Sequence, residues 1–217
     1  MPWQRLIDLV LPRRCVGCRL SGSYICNSCL AALPPALETE AAGTSALFEY
    51  RDPRIKRLIW QLKYRGITAI ADIFGVLLYQ NLLESLADWQ SYHPATTEQW
   101  LVIPLPLSPE RRRSRGYNQA ELLARALVKT APSILKLESG LLEKIKNTPT
   151  QVSIKNRSQR LQNLKGAFAI TKPELVRGRR LILVDDVITT GGTMSEARRV
   201  LKAAGARTVL AIAIAHG

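Results

Sequence analysis

The chain has 217 residues, of which 47% are hydrophobic and 22% charged, and its formal net charge is +14. This length and composition predict one α/β domain with a hydrophobic core, leave room for a small additional module and exclude a largely disordered chain. The excess of lysine and arginine favours anionic partners such as phosphorylated metabolites, nucleic acid or an acidic membrane surface, and it also fits a basic surface with no dedicated partner.

The N-terminal stretch and the apolar runs bear on the location of the protein. Asp8 interrupts the apolar residues near the N-terminus, and the small residues of a signal-peptide cleavage site do not follow them. No apolar run approaches the ~20 residues of a membrane-spanning helix, and the longest is close to residues 209–215. We therefore expect a cytoplasmic protein with no transmembrane segment.

The four cysteines of the chain lie close together as two pairs. Each pair has the spacing C-x2-C, and seven residues separate the pairs. Two thiolates on one tight turn bind the same ion, and two such turns complete a tetrahedral zinc site, which is structural because the protein supplies every ligand. Disulfides, which belong to oxidising compartments, and a redox pair are the alternatives. The candidate zinc ligands are Cys15, Cys18, Cys26 and Cys29.

The composition changes after the cysteine pairs. Residues 31–44 contain proline, alanine and glycine, which is typical of a linker. We therefore predict a zinc-binding module over residues 1–33, a linker over 34–44 and a main domain over 45–217. Such a small module needs the metal to fold, and the linker is expected to separate its core from that of the main domain.

Strand and helix patterns alternate along the main domain. Strands rich in β-branched residues that alternate with helices indicate a mostly parallel sheet flanked by helices. In chain order, we predict a strand at 45–50, helices at 52–66 and 68–89, a strand at 99–107, a helix at 117–131, a strand at 180–187, a helix at 192–205 and a strand at 207–215.

The sequence LILVDDVITTGGT, residues 181–193, joins an apolar strand to two acids and a glycine-containing loop. Ligands of open α/β sheets bind beyond the carboxyl ends of the strands, where Asp185 and Asp186 are expected. The loop opens a helix, and its backbone N–H groups and hydroxyls suit a phosphate. The two acids would repel a phosphate and instead suit the vicinal hydroxyls of a ribose, so the motif predicts a ribose 5-phosphate site. The loop residues are Thr189, Thr190, Gly191, Gly192 and Thr193.

Other interpretations of this motif fit less well. The sequence contains neither the G-K-[ST] triplet of a nucleoside-triphosphate P-loop nor the G-x-G-x-x-G dinucleotide fingerprint. A simple helix cap followed by a glycine turn explains one aspartate and leaves the second unexplained.

The motif resembles the phosphoribosyl diphosphate-binding motif of the type I phosphoribosyltransferases. Together with the double C-x2-C, the stretches LIWQLKYRG, VIPLPLSPERRRSRGYNQAELLA and TPTQ followed by RLQNLKGAF are similar to blocks of the ComF family of competence-associated proteins, in the same order. The resemblance implies a type I phosphoribosyltransferase-like domain with a small zinc-ribbon-like N-terminal module. It also implies a function in the uptake of single-stranded DNA during natural transformation.

The resemblance further implies roles for individual residues. Asp185 and Asp186 would bind the ribose hydroxyls, and the loop 189–193 would bind the 5-phosphate. Arg115, in the block R-G-Y-N-Q (115–119), would bind the pyrophosphate, with magnesium bridging the pyrophosphate and the ribose hydroxyls. For Arg115, the alternative is membership of a solvent-exposed arginine cluster. The residues give no indication of the acceptor substrate.

Residues 144–165 contain six basic side chains and no acid. This segment has three interpretations: a loop that closes over the substrate, a contact along a DNA strand, or a plain basic loop. Its basic residues are Lys144, Lys146, Lys155, Arg157, Arg160 and Lys165.

Three functions stay open. The first is a phosphoribosyltransferase-fold protein that retains ligand binding and acts in DNA uptake. The second is a metabolic phosphoribosyltransferase unrelated to DNA. The third is a non-catalytic basic adaptor that binds single-stranded DNA and a competence helicase. The intact acid–threonine–glycine motif disfavours a fold without ligand binding, and the aromatic share of 6% disfavours a dedicated single-strand binder.

Overall fold

A computed structural model of the chain describes residues 13–37, 43–92, 98–146 and 164–217. Within these residues, the strands are β1 (Thr44–Glu49), β2 (Trp100–Pro104), β3 (Leu135–Leu137), β4 (Leu142–Lys144), β5 (Phe168–Ile170), β6 (Arg180–Ile188) and β7 (Thr208–His216). The helices are α1 (Asn27–Ala31), α2 (Pro53–Arg65), α3 (Thr68–Tyr92), α4 (Pro109–Arg115), α5 (Gln119–Thr130) and α6 (Gly192–Ala203), with a 3₁₀ turn at Pro173–Leu175.

The central sheet has five parallel strands in the order β1–β7–β6–β2–β3. In the middle strand, Leu183 is opposite Ala211 of β7 and Ile103 of β2. The chain continues from β2 to the edge strand β3, but from β6 it continues to β7 on the other side, so the strand order reverses between β2 and β6. Such a reversal leaves a crevice at the carboxyl ends of the two strands, where open parallel sheets bind ligands.

The structure confirms the mostly parallel α/β fold and contains the eight elements predicted for the main domain. Their bounds differ from the predicted ones by a few residues; β2, for example, ends at Pro104 and not at residue 107. The sequence pattern does not predict α1, α4, β3, β4 and β5. The three strands have three residues each, too few to show alternation, and the arginine-rich α4 has no apolar periodicity.

Alternation along the strands divides the core into two layers. In β6, Ile182 and Val184 face one layer, whereas Leu181 and Leu183 face the other. Side chains of α2, α3 and α5 complete the first layer, and side chains of α6, β4 and β5 complete the second. The two layers cover both faces of the sheet, as a parallel sheet requires.

Helix α2 has defined ends and one buried face. Asp52 accepts a hydrogen bond of 2.8 Å from the N–H of Arg54, and Pro53 occupies the first helical position. Gly66 ends the helix in the left-handed conformation, with φ of 60°. The buried residues recur at helical spacing and pack into the first layer: Ile55, Leu58, Ile59 and Leu62.

Helix α3 is long and apolar. Over Thr68–Ala87 it has the length and composition of a membrane-spanning helix, with a mean hydropathy of 1.2, and 39% of this stretch is buried in the protein. The expectation that no segment approaches a membrane span is therefore too strong for this helix. One such helix is weak evidence for a span, because core helices have the same length and composition. Its buried side chains Ile70, Phe74, Leu78 and Leu82 belong to the first layer.

The contact between α3 and α5 depends on Gly75. A Cβ atom at this position would lie 2.7 Å from the backbone carbon of Ala126 and 2.9 Å from the nitrogen of Leu127. Glycine inside a helix costs about 0.5–1 kcal/mol relative to alanine. Its presence here therefore reflects the close approach of two backbones and not a preference for the helix.

The N-terminal module packs directly on the main domain. Arg54, at the start of α2, donates hydrogen bonds to the backbone oxygens of Cys29 and Ala32, at 3.4 and 2.9 Å. The expectation that the linker separates two cores is not met, because buried residues of the module belong to the same apolar cluster as α2 and α3. These residues are Cys15, Val16, Ile25 and Leu33.

Part of the predicted linker covers the edge of the central sheet. Residues 34–36 run antiparallel to β1, with a bridge between Pro35 and Phe48 that is flanked by backbone hydrogen bonds of 3.1 Å. Strand β1 is thus paired on both sides, by β7 and by this segment. Residues 38–42 of the linker lie outside the described residues, and the bounds of the module and the linker stay predictions.

Gly75→Ala is expected to destabilise the protein although alanine favours helices. The added methyl group has to displace α5, and overpacking of this kind costs about 1–3 kcal/mol. The melting temperature, measured by circular dichroism, should fall by several degrees. Val76→Ala is the matched control, because Val76 is 45% exposed and should tolerate the change. A melting temperature of Gly75→Ala at or above that of the wild type would contradict the close approach of α3 and α5.

Candidate functional site

A pocket of about 320 Å³ opens at the carboxyl ends of β2 and β6, where the strand order reverses. Most of its wall comes from the loop after β2 with α4 and from the end of β6 with the loop into α6. Single side chains from other elements complete it: Tyr50, Lys63, Gln119 and Lys144. Predicted site residues from separate parts of the chain meet here. Those that line the pocket are Arg115, Asp185, Asp186, Thr189, Gly191, Gly192 and Thr193.

Asp185 and Asp186 lie near the end of β6 and point to opposite faces of the sheet, because side chains alternate along a strand. Asp186 is on the face that α2 covers, and its Oδ2 lies 3.1 Å from the Nζ of Lys63. Asp185 is on the other face, where its charge acts on Lys144. The Oδ1 of Asp185 accepts a hydrogen bond of 2.8 Å from the backbone N–H of Asp186. Each acid therefore has a lysine nearby.

The surroundings of Asp185 favour its protonated form. Burial raises its pKa and the negative charge of Asp186 raises it further, to about 7, against the opposing effects of the Asp186 N–H, Lys63 and Lys144. Burial also lowers the pKa of Lys144, with the nearby Arg111 as a second cause. A cation or a hydroxyl donor between the two acids would relieve their repulsion.

The loop between β6 and α6 presents an open helix N-terminus to the pocket. Gly191 adopts the left-handed conformation, with φ of 71°, and as a glycine at the N-cap position it offers no side chain to cap the helix that begins at Gly192. The first N–H groups of a helix carry the positive end of its dipole and attract anions. The Oγ1 of Thr190 is buried without a hydrogen-bond partner among the described residues. Thr190 itself is the one residue of the loop 189–193 that does not line the pocket.

Arg115 is held in place at the pocket by two contacts. Its Nη1 donates a hydrogen bond to Oε1 of Gln119, the first residue of α5. Its guanidinium carbon lies 5.2 Å from the ring centre of Tyr64 on α2. The alternative interpretation, an exposed arginine cluster, describes residues 111–113, which are exposed, but not the half-buried Arg115.

The rest of the R-G-Y-N-Q block connects neighbouring elements around Arg115. The hydroxyl of Tyr117 donates a hydrogen bond of 2.8 Å to the backbone oxygen of Leu62 in α2. The Nδ2 of Asn118 donates one of 3.0 Å to the backbone oxygen of Leu105, after β2. The Oδ1 of Asn118 also accepts from the N–H of Ala120 and so caps α5. This block fixes α2, the loop after β2 and α5 relative to one another.

Lys63 and Lys144 also line the pocket, although the sequence pattern predicts no specific role for either. Lys63 lies in the stretch LIWQLKYRG and follows Leu62, the last buried residue of α2, so helical periodicity places it beside the buried face. The sequence carries no signal that brings this end of α2 to the end of β6. That proximity arises from the packing of the helix on the sheet.

The four cysteine sulfur atoms form a compact cluster, all within 4.8 Å of one another. The Sγ of Cys26 lies 3.7 Å from that of Cys15 and 3.6 Å from that of Cys18. Four sulfurs around a zinc ion at ~2.3 Å would be roughly 3.8 Å apart, whereas a disulfide bond needs about 2.05 Å. All four cysteines are free thiols, and their cluster is compatible with a structural zinc ion.

The backbone shapes this cluster. A Cβ atom at Gly17 would lie 2.7 Å from the Sγ of Cys29, so the tight turn between the first two cysteines requires glycine. Burial opposes ionisation of Cys15, but hydrogen bonds from the backbone of Cys26, Cys18 and Gly17 lower its pKa to about 6. Hydrogen bonding with Cys26 and Cys15 raises the pKa of Cys29 to about 12.

Both ends of the predicted basic segment are held at the β4–β5 pair. The Nζ of Lys146 donates a hydrogen bond of 2.9 Å to the backbone oxygen of Lys165, and the N–H of Ile145 donates one of 2.9 Å to the oxygen of Ala167. The middle of the segment, residues 147–163, lies outside the described residues, so its interpretations stay open. That middle part includes Lys155, Arg157 and Arg160.

Asp185→Asn is expected to stabilise the protein at pH 8 and less so at pH 5. Because the pKa of Asp185 is raised to about 7 in the folded state, the folded form binds this proton more tightly than the unfolded chain. The associated stability is present at low pH and is lost as the pH rises through 7. Without magnesium, the variant should melt at least about 2 °C above the wild type at pH 8, the shift that ~1 kcal/mol produces at this chain length.

The exposed substitution Glu84→Gln is the control, and its effect on the melting temperature should not depend on pH in this way. If the difference between Asp185→Asn and the wild type grew as the pH fell from 8 to 5, the raised pKa of Asp185 would be wrong.

Comparisons with known proteins agree with this architecture. The family profile described as phosphoribosyl transferase domain matches residues 114–217. The DNA utilization protein YhgH of Escherichia coli O157:H7 is 31% identical over 198 residues, which are 90% of this chain and 80% of that protein. Competence protein F of Haemophilus influenzae is 32% identical over 188 residues, which are 85% of this chain and 75% of that protein.

Solved structures of phosphoribosyltransferases are also similar. The hypoxanthine-guanine phosphoribosyltransferase of Leishmania tarentolae in complex with GMP is 14% identical and covers 67% of this chain and 66% of its own, with a TM-score of 0.37. A TM-score of this size supports no conclusion by itself, and the fold assignment rests on the family match and on the observed sheet. Since the identities of 31% and 32% extend over three quarters or more of the curated relatives, the chain belongs to the ComF family of competence-associated, phosphoribosyltransferase-like proteins.

Proposed function

We propose that the chain binds phosphoribosyl diphosphate, or a related ribose 5-phosphate ligand, together with Mg²⁺ in the pocket at the ends of β2 and β6. The observation that supports this most directly is the presence in one pocket of two acids and of a helix start whose N-cap residue is a glycine. Acids alone would suit a cation and a helix start alone would suit an anion. A sugar phosphate uses both.

We expect each part of the proposed ligand to contact the element of the pocket whose charge or hydrogen-bonding groups complement it. The 5-phosphate lies at the start of α6, where Thr189, Thr190, Gly191, Gly192 and Thr193 supply N–H and hydroxyl donors. Asp185 and Asp186 accept hydrogen bonds from the ribose hydroxyls. The pyrophosphate lies towards Arg115, with Arg111 and Lys144 as further cations in the pocket wall.

The acids also fit magnesium. Mg²⁺ prefers carboxylate and phosphate oxygens, and Asp185 and Asp186 offer the former at the place where the ligand would bring the latter. When bound, the ion neutralises charge on the pyrophosphate. In a transferase reaction the bond between C1 of the ribose and the pyrophosphate breaks. The acids then stabilise the positive charge on the ring, and Arg115 and Lys144 stabilise the negative charge on the leaving group.

We assign this ligand binding to a role in DNA uptake during natural competence. The support comes from relatives named Competence protein F and DNA utilization protein and from the net charge of +14. A metabolic transferase with an unidentified acceptor is the alternative for an active enzyme. A non-catalytic adaptor that binds single-stranded DNA and a helicase is the alternative that requires no ribose phosphate.

We also propose that the cysteine cluster binds one structural zinc ion. The sulfur–sulfur distances of 3.6 and 3.7 Å suit tetrahedral coordination. The ligands come from two turns that pack on α2, so the ion stabilises the attachment of the module to the main domain.

Replacing both acids, Asp185→Asn with Asp186→Asn, is expected to abolish magnesium-dependent binding of phosphoribosyl diphosphate. Each hydrogen bond to a charged group contributes about 1.5–3 kcal/mol, so the loss should be at least about 10-fold for each carboxylate. Isothermal titration calorimetry with the full chain, Mg²⁺ and phosphoribosyl diphosphate measures it. Wild-type protein that binds no ribose 5-phosphate compound at millimolar concentration would favour the adaptor.

Two further variants sharpen this experiment. Glu174→Gln changes an exposed acid outside the pocket and should leave binding unchanged. Thr190→Val removes only the hydroxyl that lacks a partner, so it should weaken ligand binding about 5- to 10-fold without lowering the melting temperature. A Thr190→Val variant that loses stability and keeps its affinity would place this hydroxyl outside the phosphate site.

Elemental analysis of the reduced protein is expected to give about one zinc per chain. Because the module and α2 share one apolar cluster, Cys18→Ser or a strong chelator should lower the melting temperature of the whole chain in a single transition. Ser28→Ala, on the exposed side of α1, is the control. Protein without zinc and with two disulfides would contradict the metal assignment, and an unchanged main transition would contradict the shared core.

A further inference from the structure

Two large aromatic side chains lie exposed on the outer face of α2. Trp60 is 49% exposed and Tyr64 is 61% exposed. Because they are four positions apart on a helix, they are neighbours, and their ring centres are 5.7 Å apart. The core of the protein uses the opposite face of α2, so the folded domain does not need these rings for its packing. We call this exposed pair the aromatic platform.

Arginine side chains lie against both rings of the aromatic platform. The guanidinium carbon of Arg65 is 5.3 Å from the ring centre of Trp60, and that of Arg115 is 5.2 Å from the ring centre of Tyr64. Planar guanidinium groups and aromatic rings both stack with nucleic-acid bases. The arginines also bring positive charge to the rings, where a strand would bring phosphates.

A shallow groove of about 520 Å³ lies beside Trp60, on the side of the platform away from Tyr64's ring, which does not line it. Gln61, which lines this groove, has a buried Oε1 without a hydrogen-bond partner among the described residues. Such an atom is suited to a polar hydrogen of a ligand, for instance the amino group of a base. The groove is lined by Pro53, Lys56, Arg57, Trp60, Gln61 and Arg65.

The charge of the surrounding surface is one-sided. Helix α2 has five lysine and arginine residues and no acid within Pro53–Arg65. Helix α4, which meets the platform through Arg115, adds three further arginines at 111–113 against the single acid Glu110. A second copy of this chain would bring these cations against one another, whereas a polyanion complements them.

We propose that the aromatic platform binds single-stranded nucleic acid, with bases stacked on Trp60 and Tyr64 and phosphates paired with Lys56, Arg57 and Arg65. A single strand is required because a duplex hides the faces of its bases. The site rests on the role in DNA uptake proposed above and deepens it by naming the surface that contacts the strand, but it does not depend on ligand binding in the pocket. The platform and the pocket are adjacent, because Arg115 lines the pocket and also lies against the ring of Tyr64.

The test is binding of a fluorescein-labelled oligothymidylate to the full chain, measured by anisotropy across a salt series. Trp60→Ala with Tyr64→Ala is expected to weaken binding at least about 10-fold, because each stacked base contributes that much on average. The salt slope should not change, since neither ring carries charge. Lys56→Gln with Arg57→Gln should instead flatten the slope by about 0.7 for each phosphate that the protein no longer neutralises.

Matched controls separate stacking from folding. Trp60→Phe keeps a ring and should retain most of the affinity, and Leu83→Ala changes an exposed residue of α3 and should have no effect. Calorimetry with phosphoribosyl diphosphate on the Trp60→Ala variant reports on the pocket, so failure of the platform and failure of the proposed function are distinguishable.

Crosslinking of a bromodeoxyuridine-containing strand to the wild-type protein provides evidence that needs no variant. Crosslinks at Trp60 or Tyr64 support the platform. Crosslinks confined to residues 147–163, or unchanged affinity after removal of both rings, overturn it. Binding of phosphatidylserine vesicles that requires Trp60 while oligothymidylate does not bind would assign this face to a membrane and likewise overturn the proposal.

Discussion

The pocket is built around the ion pair between Lys63 and Asp186, because this pair joins the helical layer to the end of the central strand. Two adjacent acids at the end of a buried strand repel each other, and burial adds to the cost of charging both. Helix α2 supplies a positive charge on one face of the sheet, and Lys144 supplies one on the other. The fold can thus hold two carboxylates together before a ligand arrives, and burial, together with the repulsion by Asp186 that remains, raises the pKa of Asp185.

Helix α2 contributes to the core, to the attachment of the cysteine module, to the pocket and to the aromatic platform. Its apolar face belongs to the core, its first turn is hydrogen-bonded to the cysteine module through Arg54, and its last turn brings Lys63 to the pocket. Its outer face exposes Trp60 and Tyr64. The same helix thus carries the contact with the cysteine module at one end and the contact with Asp186 at the other.

The features that the sequence predicts are those whose signals are local. The spacing of its apolar residues and the stop at Gly66 define α2, and an apolar run that ends in two acids identifies the central strand and the end that lines the pocket. The sequence does not predict the role of Lys63, because its position in the pocket depends on how α2 packs on the sheet. The expectation of two separate cores fails for a similar reason, since the composition of residues 31–44 does not reveal the pairing of 34–36 with β1.

That pairing also bears on self-association. A strand at the edge of a sheet offers unpaired N–H and C=O groups to strands of other molecules, and β1 would be such a strand if only β7 covered it. The segment leaving the cysteine cluster occupies its outer side, and Pro35, which has no N–H, limits further pairing there. Separation of this segment from β1 would leave the outer side of the edge strand open to pairing with strands of other molecules. The segment that follows the cysteine cluster thus shields the edge of the central sheet.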